Sequence, residues 1–366
     1  MQRPYSDISQ KHIDTVFAVF KRFKRNKMPA ALPQKILIVK PSSLGDVVHS
    51  LPFLNAIKSC FPKSEIHWVI ARGLEGLLEG HPMVDKLIVI NKDIWKKISK
   101  TGKTIKEVRQ LFKILRNENY DMVIDLQGLF RSGVITMATR APLRIGFAEA
   151  REGSRLFYNK RVKGGKEIHA VERYMKIAEA LECDTDDIIF PYPLIKNNLE
   201  QIKGIKSTLK GYAVIVPGAR WVTKIWPAEN FGRIASLLPV KSIVIGSKDD
   251  LIIAEKVVEA SGGKAISLAG STSLRELIEI MRDAMFVISN DSGPMHIAAG
   301  FNVPVAAIFG PTSPSRTGPY GKGHIIIKSD AQCSPCFKKR CKDLKCMKGI
   351  AVDRVYEKIS DILERK

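Results

Sequence analysis

The strongest constraint on this chain is a repeated pattern: a short, strongly apolar run stops at a turn and gives way to a helix-like stretch. KILIVK at 35–40 ends at Pro41-Ser42-Ser43-Leu44-Gly45, and a helical pattern follows from Asp46 to Phe61. EIHWVIA, KLIVI, YDMVIDLQG and LRIGF (143–147) repeat the theme. Such runs alternating with helices build βαβ units and a parallel sheet, whose strands are buried on both faces and therefore read as continuously apolar. Between 183 and 210 the pattern lapses into a polar stretch with two prolines. It then restarts with YAVIVPG, SIVIGS, AISLAG, FVISND and VPVAAIFG, with helices expected from about Ala228, Asp249, Ser273 and Pro294.

The expected fold is therefore α/β, with two Rossmann-like, doubly wound parallel-sheet domains in series. The expected boundaries are a basic N-terminal extension over 1–33, a first domain over 34–195, a second over 196–349 and a terminal helix over 350–366. In open parallel sheets, ligands bind outside the carboxyl ends of the strands. With two such sheets, the natural site is the cleft between them.

Composition narrows the partners. The chain carries 59 Lys and Arg against 37 Asp and Glu, a formal charge of +22. An excess of that size points to an anionic partner, either nucleic acid or a phosphate-bearing membrane surface. The segment Lys11–Lys27 places Ile13, Val16, Phe17, Val19, Phe20 and Phe23 among Lys21, Arg22, Lys24, Arg25 and Lys27, a pattern suited to an amphipathic helix on an anionic leaflet. It equally suits a helix packed on its own protein. No apolar run approaches the ~20 residues of a spanning helix. VFAVF at 16–20 is too short for a signal peptide core and its basic flank follows it, so a cytoplasmic chain is expected.

Two strand ends carry the candidate chemistry. In KPSSLGDVVHS, Asp46 stands at a helix start beneath a glycine turn, either capping that helix or acting as a general base, with His49 one turn on. In VPGARWVTKIWP, Pro217 and Gly218 end a strand and Lys224 lies in the loop before the next helix, where a cation can neutralise a departing diphosphate. In FVISNDSGPMH, Asp291, Ser292 and Gly293 precede a helix that Pro294 helps to start, and a helix N-terminus favours phosphate.

KILIVKPSSLGDVVHSLP, DLQGLFRSG, SRLFYNKRV with HAVERY, VPGARWVTKIWP, SNDSGPMHIAAG and FGPTSPSRTGPYG together resemble glycosyltransferase family 9, the lipopolysaccharide heptosyltransferases, in order and register from about Lys35 to about Gly349. The resemblance implies a GT-B fold, in which the two sheet domains face across a cleft. It also implies an inverting, metal-independent transfer of heptose from ADP-heptose to the anionic inner core attached to lipid A (Kdo-lipid A or heptosyl-Kdo-lipid A), at the inner face of the inner membrane. By the same resemblance, Asp46 is the base, and Ser43, Gly45, Arg131, Arg151 and Arg155 face the acceptor. Pro217, Gly218, Thr223, Lys224, Gly246, Asp291, Ser292, Gly293 and His296 face the donor. No cofactor and no nucleic acid are implied. The opening and HAVERY resemble heptosyltransferase I, whereas IGSKDD and the cysteine-rich tail resemble heptosyltransferase II. Lys248 stands where the first type carries an acidic donor-binding residue.

Cys333, Cys336, Cys341 and Cys346 have C-x2-C-x4-C-x4-C spacing, a plausible four-thiolate zinc set, with a disulfide and free thiols as the other readings. Cys60 and Cys183 are expected to pack as small hydrophobes. Three other functions stay open: transfer of a different nucleotide sugar, epimerisation of a sugar nucleotide, and nucleic-acid binding through a zinc knuckle.

Overall fold

The computed structural model describes residues 32–91, 102–165, 167–193, 204, 209 and 211–364. The expected amphipathic segment Lys11–Lys27 lies outside the described residues, as does most of the stretch around the expected boundary at 195. The first half contains β1 (Lys35–Val39), α1 (Leu44–His49), α2 (Leu51–Cys60), β2 (Glu65–Ala71), β3 (Lys86–Ile90) and α3 (Gly102–Asn117). It continues with β4 (Met122–Asp125), α4 (Phe130–Ala138), β5 (Leu143–Phe147), β6 (Lys160–Val162) and α5 (Ala170–Ala180). The second half contains β7 (Ala213–Val216), α6 (Ala228–Leu237), β8 (Ser242–Val244), α7 (Leu251–Ala260), β9 (Ala265–Ser267) and α8 (Leu274–Arg282). β10 (Phe286–Asn290), α9 (Gly293–Gly300), β11 (Val305–Phe309), α10 (Pro314–Thr317), β12 (Ile325–Lys328), α11 (Lys345–Lys348) and α12 (Val352–Glu364) complete it.

Both sheets are parallel and six-stranded, in the orders β3-β2-β1-β4-β5-β6 and β12-β11-β10-β7-β8-β9. Counted within each half, the two orders are the same, with the first strand beside the fourth. That pair is the topological switch point, where connections leave in opposite directions and open a crevice at the carboxyl ends. The two crevices lie after β1 and β4 in the first sheet, and after β7 and β10 in the second. The central strands are buried along almost their whole length, which is why their sequences are unbroken apolar runs.

The structure departs from the expected elements in two places. Each sheet has a sixth strand not anticipated from sequence, β6 and β12, both short and both at an edge. The single helix expected from Asp46 to Phe61 is two, broken at Ser50. Pro52, in the first turn of α2, has no N–H to continue the α1 ladder, and the chain restarts with Leu54 N donating to the Ser50 carbonyl at 3.1 Å. The expected terminal helix is present as α12. Its Val355, Ile359 and Ile362 join Trp226, Phe231 and Ile234 in the core beneath the second sheet.

Another buried cluster runs from Ile36 and Ile38 of the first sheet through Met295 and Ile297 of α9 to Val214 of β7, so the domains meet across an apolar contact. Polar bonds pin its rim: Arg275 donates to the Glu79 carbonyl at 2.6 Å, Tyr320 to the Glu172 carboxylate at 2.6 Å, and Tyr192 to the Ile297 carbonyl at 3.2 Å. The carboxyl ends of the two sheets face one another, the arrangement that the GT-B expectation requires.

Candidate active site

At the first switch point, the turn after β1 presents Asp46 on the short helix α1. Its Oδ2 accepts from the Ser43 amide at 2.8 Å and from the Ser43 hydroxyl at 2.7 Å, so Asp46 does close the start of the helix. Its Oδ1 stands 3.9 Å from Lys40 Nζ, and the side chain remains 40% exposed. Capping uses one oxygen and leaves the other facing the cleft. Burial alone would push this carboxyl upward most strongly, but the Lys40 charge and both Ser43 bonds together hold it below its ordinary value. It is ionised at neutral pH, as a base must be.

Lys40 is the residue that sequence reasoning missed here. It is 2% exposed, its ammonium lies 5.1 Å above the Tyr174 ring, and it reaches the Leu126 carbonyl at 3.5 Å. Burial opposes its charge, yet Asp46 and Tyr174 outweigh that and hold its pKa above the usual lysine value. The available signal was its position, a lysine closing an apolar strand. On the neighbouring turn, the buried Asp125 accepts from Tyr158 at 2.6 Å, Gln127 N at 2.8 Å and Gly128 N at 3.0 Å. That turn abuts Ser42 through Gln127 Oε1 at 3.4 Å. Arg151 N donates to the Gly128 carbonyl at 2.9 Å, so the turn bearing Arg151 and Arg155 continues the same rim, and all of Arg131, Arg151 and Arg155 are exposed.

At the second switch point, Lys224 and Asp291 form an ion pair at 2.6 Å, with side-chain exposures of 17% and 5%. The Thr312 hydroxyl donates to the same Asp291 oxygen at 2.6 Å. Lys224 also lies 4.6 Å above the Trp221 ring. An ammonium has three donors, and Asp291 takes one. Asn290, a second residue unseen from sequence, ties the crevice together: its amide donates to the Pro217 carbonyl at 2.7 Å and its carbonyl accepts from Trp226 N at 3.1 Å. Ser292 Oγ pairs with Ser289 Oγ at 3.1 Å. Gly218 and Gly246 both pack against Asp250, leaving no room for a Cβ at either. Thr223 donates to the Lys338 carbonyl at 2.8 Å. Next to it a cavity of about 610 Å³ opens among Arg220, Trp221, Lys339 and Arg340.

The two turns touch. A Cβ on Gly45 would collide with the His296 ring, and one on Gly293 would lie 2.7 Å from Leu44. His49 Nε2 and His296 Nδ1 are 3.0 Å apart, and His169 stands edge-on to His49 with ring centres 5.0 Å apart. Burial, then the neighbouring His296 and His169, hold His49 well below the usual histidine value. Burial brings His296 down to about 4, with Asp291 opposing. Both rings are therefore neutral at pH 7, so one nitrogen of the pair donates and the other accepts. His169, also lowered by burial, donates to the Gly318 carbonyl across the interface at 3.1 Å.

One cysteine expectation is corrected. Cys60 and Cys183 do not pack as separate small hydrophobes; they are bonded to each other, with Cα atoms 5.3 Å apart. The end of α2 and the turn after α5 are brought together by helix packing across 123 residues of sequence. Cys333, Cys336, Cys341 and Cys346 are free thiols.

Comparison with known proteins agrees with this geometry. The family model for glycosyltransferase family 9 (heptosyltransferase) matches residues 108–347. The lipopolysaccharide heptosyltransferase 1 of Pseudomonas aeruginosa is 31% identical over 318 residues, covering 84% of this chain and 87% of that protein. The lipooligosaccharide heptosyltransferase 2 of Haemophilus ducreyi is 32% identical over 354 residues, covering 90% and 99%. The Escherichia coli heptosyltransferase WaaC, solved with ADP-2-deoxy-2-fluoro heptose, superposes with a TM-score of 0.70 at 26% identity, covering 89% of this chain and 99% of that one. With the family motifs placed at the two facing switch points, this chain belongs to glycosyltransferase family 9, the heptosyltransferases.

Proposed function

We propose that this enzyme transfers heptose from ADP-heptose to the inner core of lipopolysaccharide, inverting the anomeric centre and using no metal ion. The observation that carries this reading is the pairing of two facing crevices. One presents an ionised carboxylate, Asp46, and the other a cation and a helix N-terminus, Lys224 and α9. Asp46 takes the proton of the acceptor hydroxyl as that oxygen attacks the sugar from the face opposite the diphosphate. The bond to ADP breaks, and Lys224 with the α9 amides stabilises the charge that develops on the leaving oxygen. Arg131, Arg151 and Arg155 supply a basic rim suited to the acidic sugars and phosphates of the acceptor, with the first domain as the acceptor side and the second as the donor side. Among the described residues no helix is long and apolar enough to cross a membrane. The charge of +22 draws the protein to the anionic leaflet that holds the acceptor.

The test is ADP release on mixing the protein with ADP-heptose and either Kdo-lipid A or heptosyl-Kdo-lipid A. Release that depends on one acceptor supports the reading and assigns the step. Release with neither acceptor overturns it.

A further inference from the structure

Leu156 is 74% exposed, more than any other large apolar side chain among the described residues. A single exposed leucine is ordinary on a protein surface, but here two more apolar side chains adjoin it. Leu156 lies on the 3₁₀ turn Ser154–Phe157, which packs across α4: a Cβ on Gly133 would collide with the Phe157 ring. Positions 130, 133 and 137 share one face of that helix. The turn therefore crosses the face at Gly133 and leaves Phe130 and Met137 on either side of it, each 51% exposed. The Phe130 and Phe157 rings meet edge to face, with centres 5.6 Å apart.

Hydrogen bonds fix the turn that presents these side chains. Glu152, φ 55°, and Gly153, φ 74°, are successive left-handed residues ahead of it, and the Glu152 carboxylate accepts from Phe130 N at 3.2 Å. Ser154 Oγ donates to the Arg151 carbonyl at 2.8 Å, and Arg161 Nε to that of Arg155 at 3.1 Å. Around the apolar side chains the charge is mostly of one sign. Residues 129–161 carry seven Lys and Arg against two Glu, and Arg131, Arg140, Arg151, Arg155 and Arg161 are exposed. Both glutamates are engaged by backbone amides, Glu149 accepting from Gly164 N at 3.0 Å. Apolar side chains ringed by arginines suit the boundary of an anionic bilayer, where the cations meet phosphates and the apolar groups enter the acyl region. The place suits it as well. Arg151 N bonds to Gly128, whose turn abuts Ser42, so this face stands at the mouth of the crevice that presents Asp46.

We propose that α4 and the turn Ser154–Phe157 form the surface by which this chain docks on an anionic lipid bilayer. Leu156, Phe130 and Met137 enter the leaflet, and the surrounding arginines hold its phosphates. The choice of a bilayer as the partner rests on the reading of the acceptor as lipid-borne. A glycolipid anchored in that leaflet then meets the first crevice while its acyl chains stay in the membrane. The charge of +22 draws the whole protein toward such a surface, and this face sets which side of it arrives.

The experiment uses the full chain with vesicles of phosphatidylethanolamine and phosphatidylglycerol, beside vesicles of phosphatidylcholine alone. The wild type should sediment with the anionic vesicles, and added salt should release it. The double variant Met137→Gln, Leu156→Gln alters only exposed side chains. Its melting temperature should hold while its affinity for the anionic vesicles falls about tenfold. Transfer to acceptor embedded in those vesicles should fall several-fold, and transfer to the same acceptor sugars freed of acyl chains should not change. A wild type that does not sediment, or that binds phosphatidylcholine as strongly, overturns the surface. So does equal vesicle binding by wild type and double variant; if the wild type is then a dimer and the variant a monomer, a second copy of the chain covers this face. If vesicle binding behaves as expected and neither form of acceptor is modified, the surface stands and it is the reaction assignment that fails.

Discussion

The two switch points have the same strand order and opposite electrostatics. At the first, the carboxylate faces outward and the ammonium lies behind it: the Asp46 side chain is 40% exposed, while that of Lys40 beneath it is 3%. At the second the order is reversed, with Lys224 at 17% in front and Asp291 at 5% behind. Each crevice sets one lysine against one aspartate, so the charges of the two pairs do not distinguish them. The difference lies in which group can meet a ligand. An exposed carboxylate backed by a cation is available to take a proton, and a forward ammonium backed by a carboxylate is available to hold an anion. One fold used twice yields the two halves of a displacement reaction by exchanging the depth of two side chains.

The largest effect should follow from disabling the first crevice. Asp46→Asn keeps an oxygen to accept from Ser43 but removes the proton acceptor. We expect turnover to fall about 10²–10⁴-fold, the usual contribution of a general base, with little change in melting temperature. ADP release and a thermal melt on the same preparations check both. A loss of activity accompanied by a large loss of stability would make Asp46 a cap alone.

The second crevice should behave differently, because there function and stability share the same pair. Lys224→Met leaves Asp291 buried without its cation, which costs about 3–5 kcal/mol, and it weakens donor binding as well. Lys224→Met combined with Asp291→Asn removes both charges while keeping an acceptor for Thr312. Stability in denaturant should largely return, while donor binding should not. If donor binding returns with stability, the pair is structural and the front-to-back contrast between the crevices carries no function.

Much of this was legible in the sequence, and the limits are instructive. Central strands are buried on both faces and had to be written as apolar runs, so they could be read. β6, with the sequence KRV, is a short edge strand paired on one side only, and nothing forces it into that pattern. β12, IIIK, is an apolar run, but it is short and a long loop rather than a helix-like stretch follows it, so the alternation does not mark it. Asp46, Lys224 and Asp291 stood out because turn residues surround them. Lys40 and Asn290 did not, since each closes an apolar run and finds its partners far along the chain, in Tyr174 and Leu126 for one and Pro217 and Trp226 for the other. Front-to-back order is therefore a property of the fold that no local pattern records. The Cys60–Cys183 bond is invisible for the same reason.

Between the crevices lies a contact belonging to neither, and it sets the pH range over which they stay together. His296 has its pKa reduced to about 4 by burial, against an ordinary 6.5. In the interval between those values the unfolded chain binds the proton and the folded one does not, so stability falls as pH drops from about 6.5 toward 4. The loss approaches about 3 kcal/mol at the lower end. His49 is lowered in the same direction and adds to it. Melting curves from pH 7 to pH 4.5 should show this, and H296N should flatten the slope. An unchanged slope would mean that the acid sensitivity arises elsewhere.

The smallest effect is the sharpest test of the contrast. If Lys40 serves Asp46 from behind, its charge should appear in the pH profile of the reaction. Asp46 is ionised above its pKa, so activity falls as pH drops through that value, and Lys40 holds the value down. Lys40→Met retains the buried volume but removes the charge, so the acid limb of kcat/KM should move to higher pH, toward the ordinary carboxylate range, with the plateau reduced far less than in Asp46→Asn. Lys40→Arg should keep the limb near its original place, although Arg and Lys fill space differently. A limb that stays put in Lys40→Met would mean that Lys40 supports the strand end and Tyr174 without tuning the base. The first crevice would then be a carboxylate held by Ser43 alone.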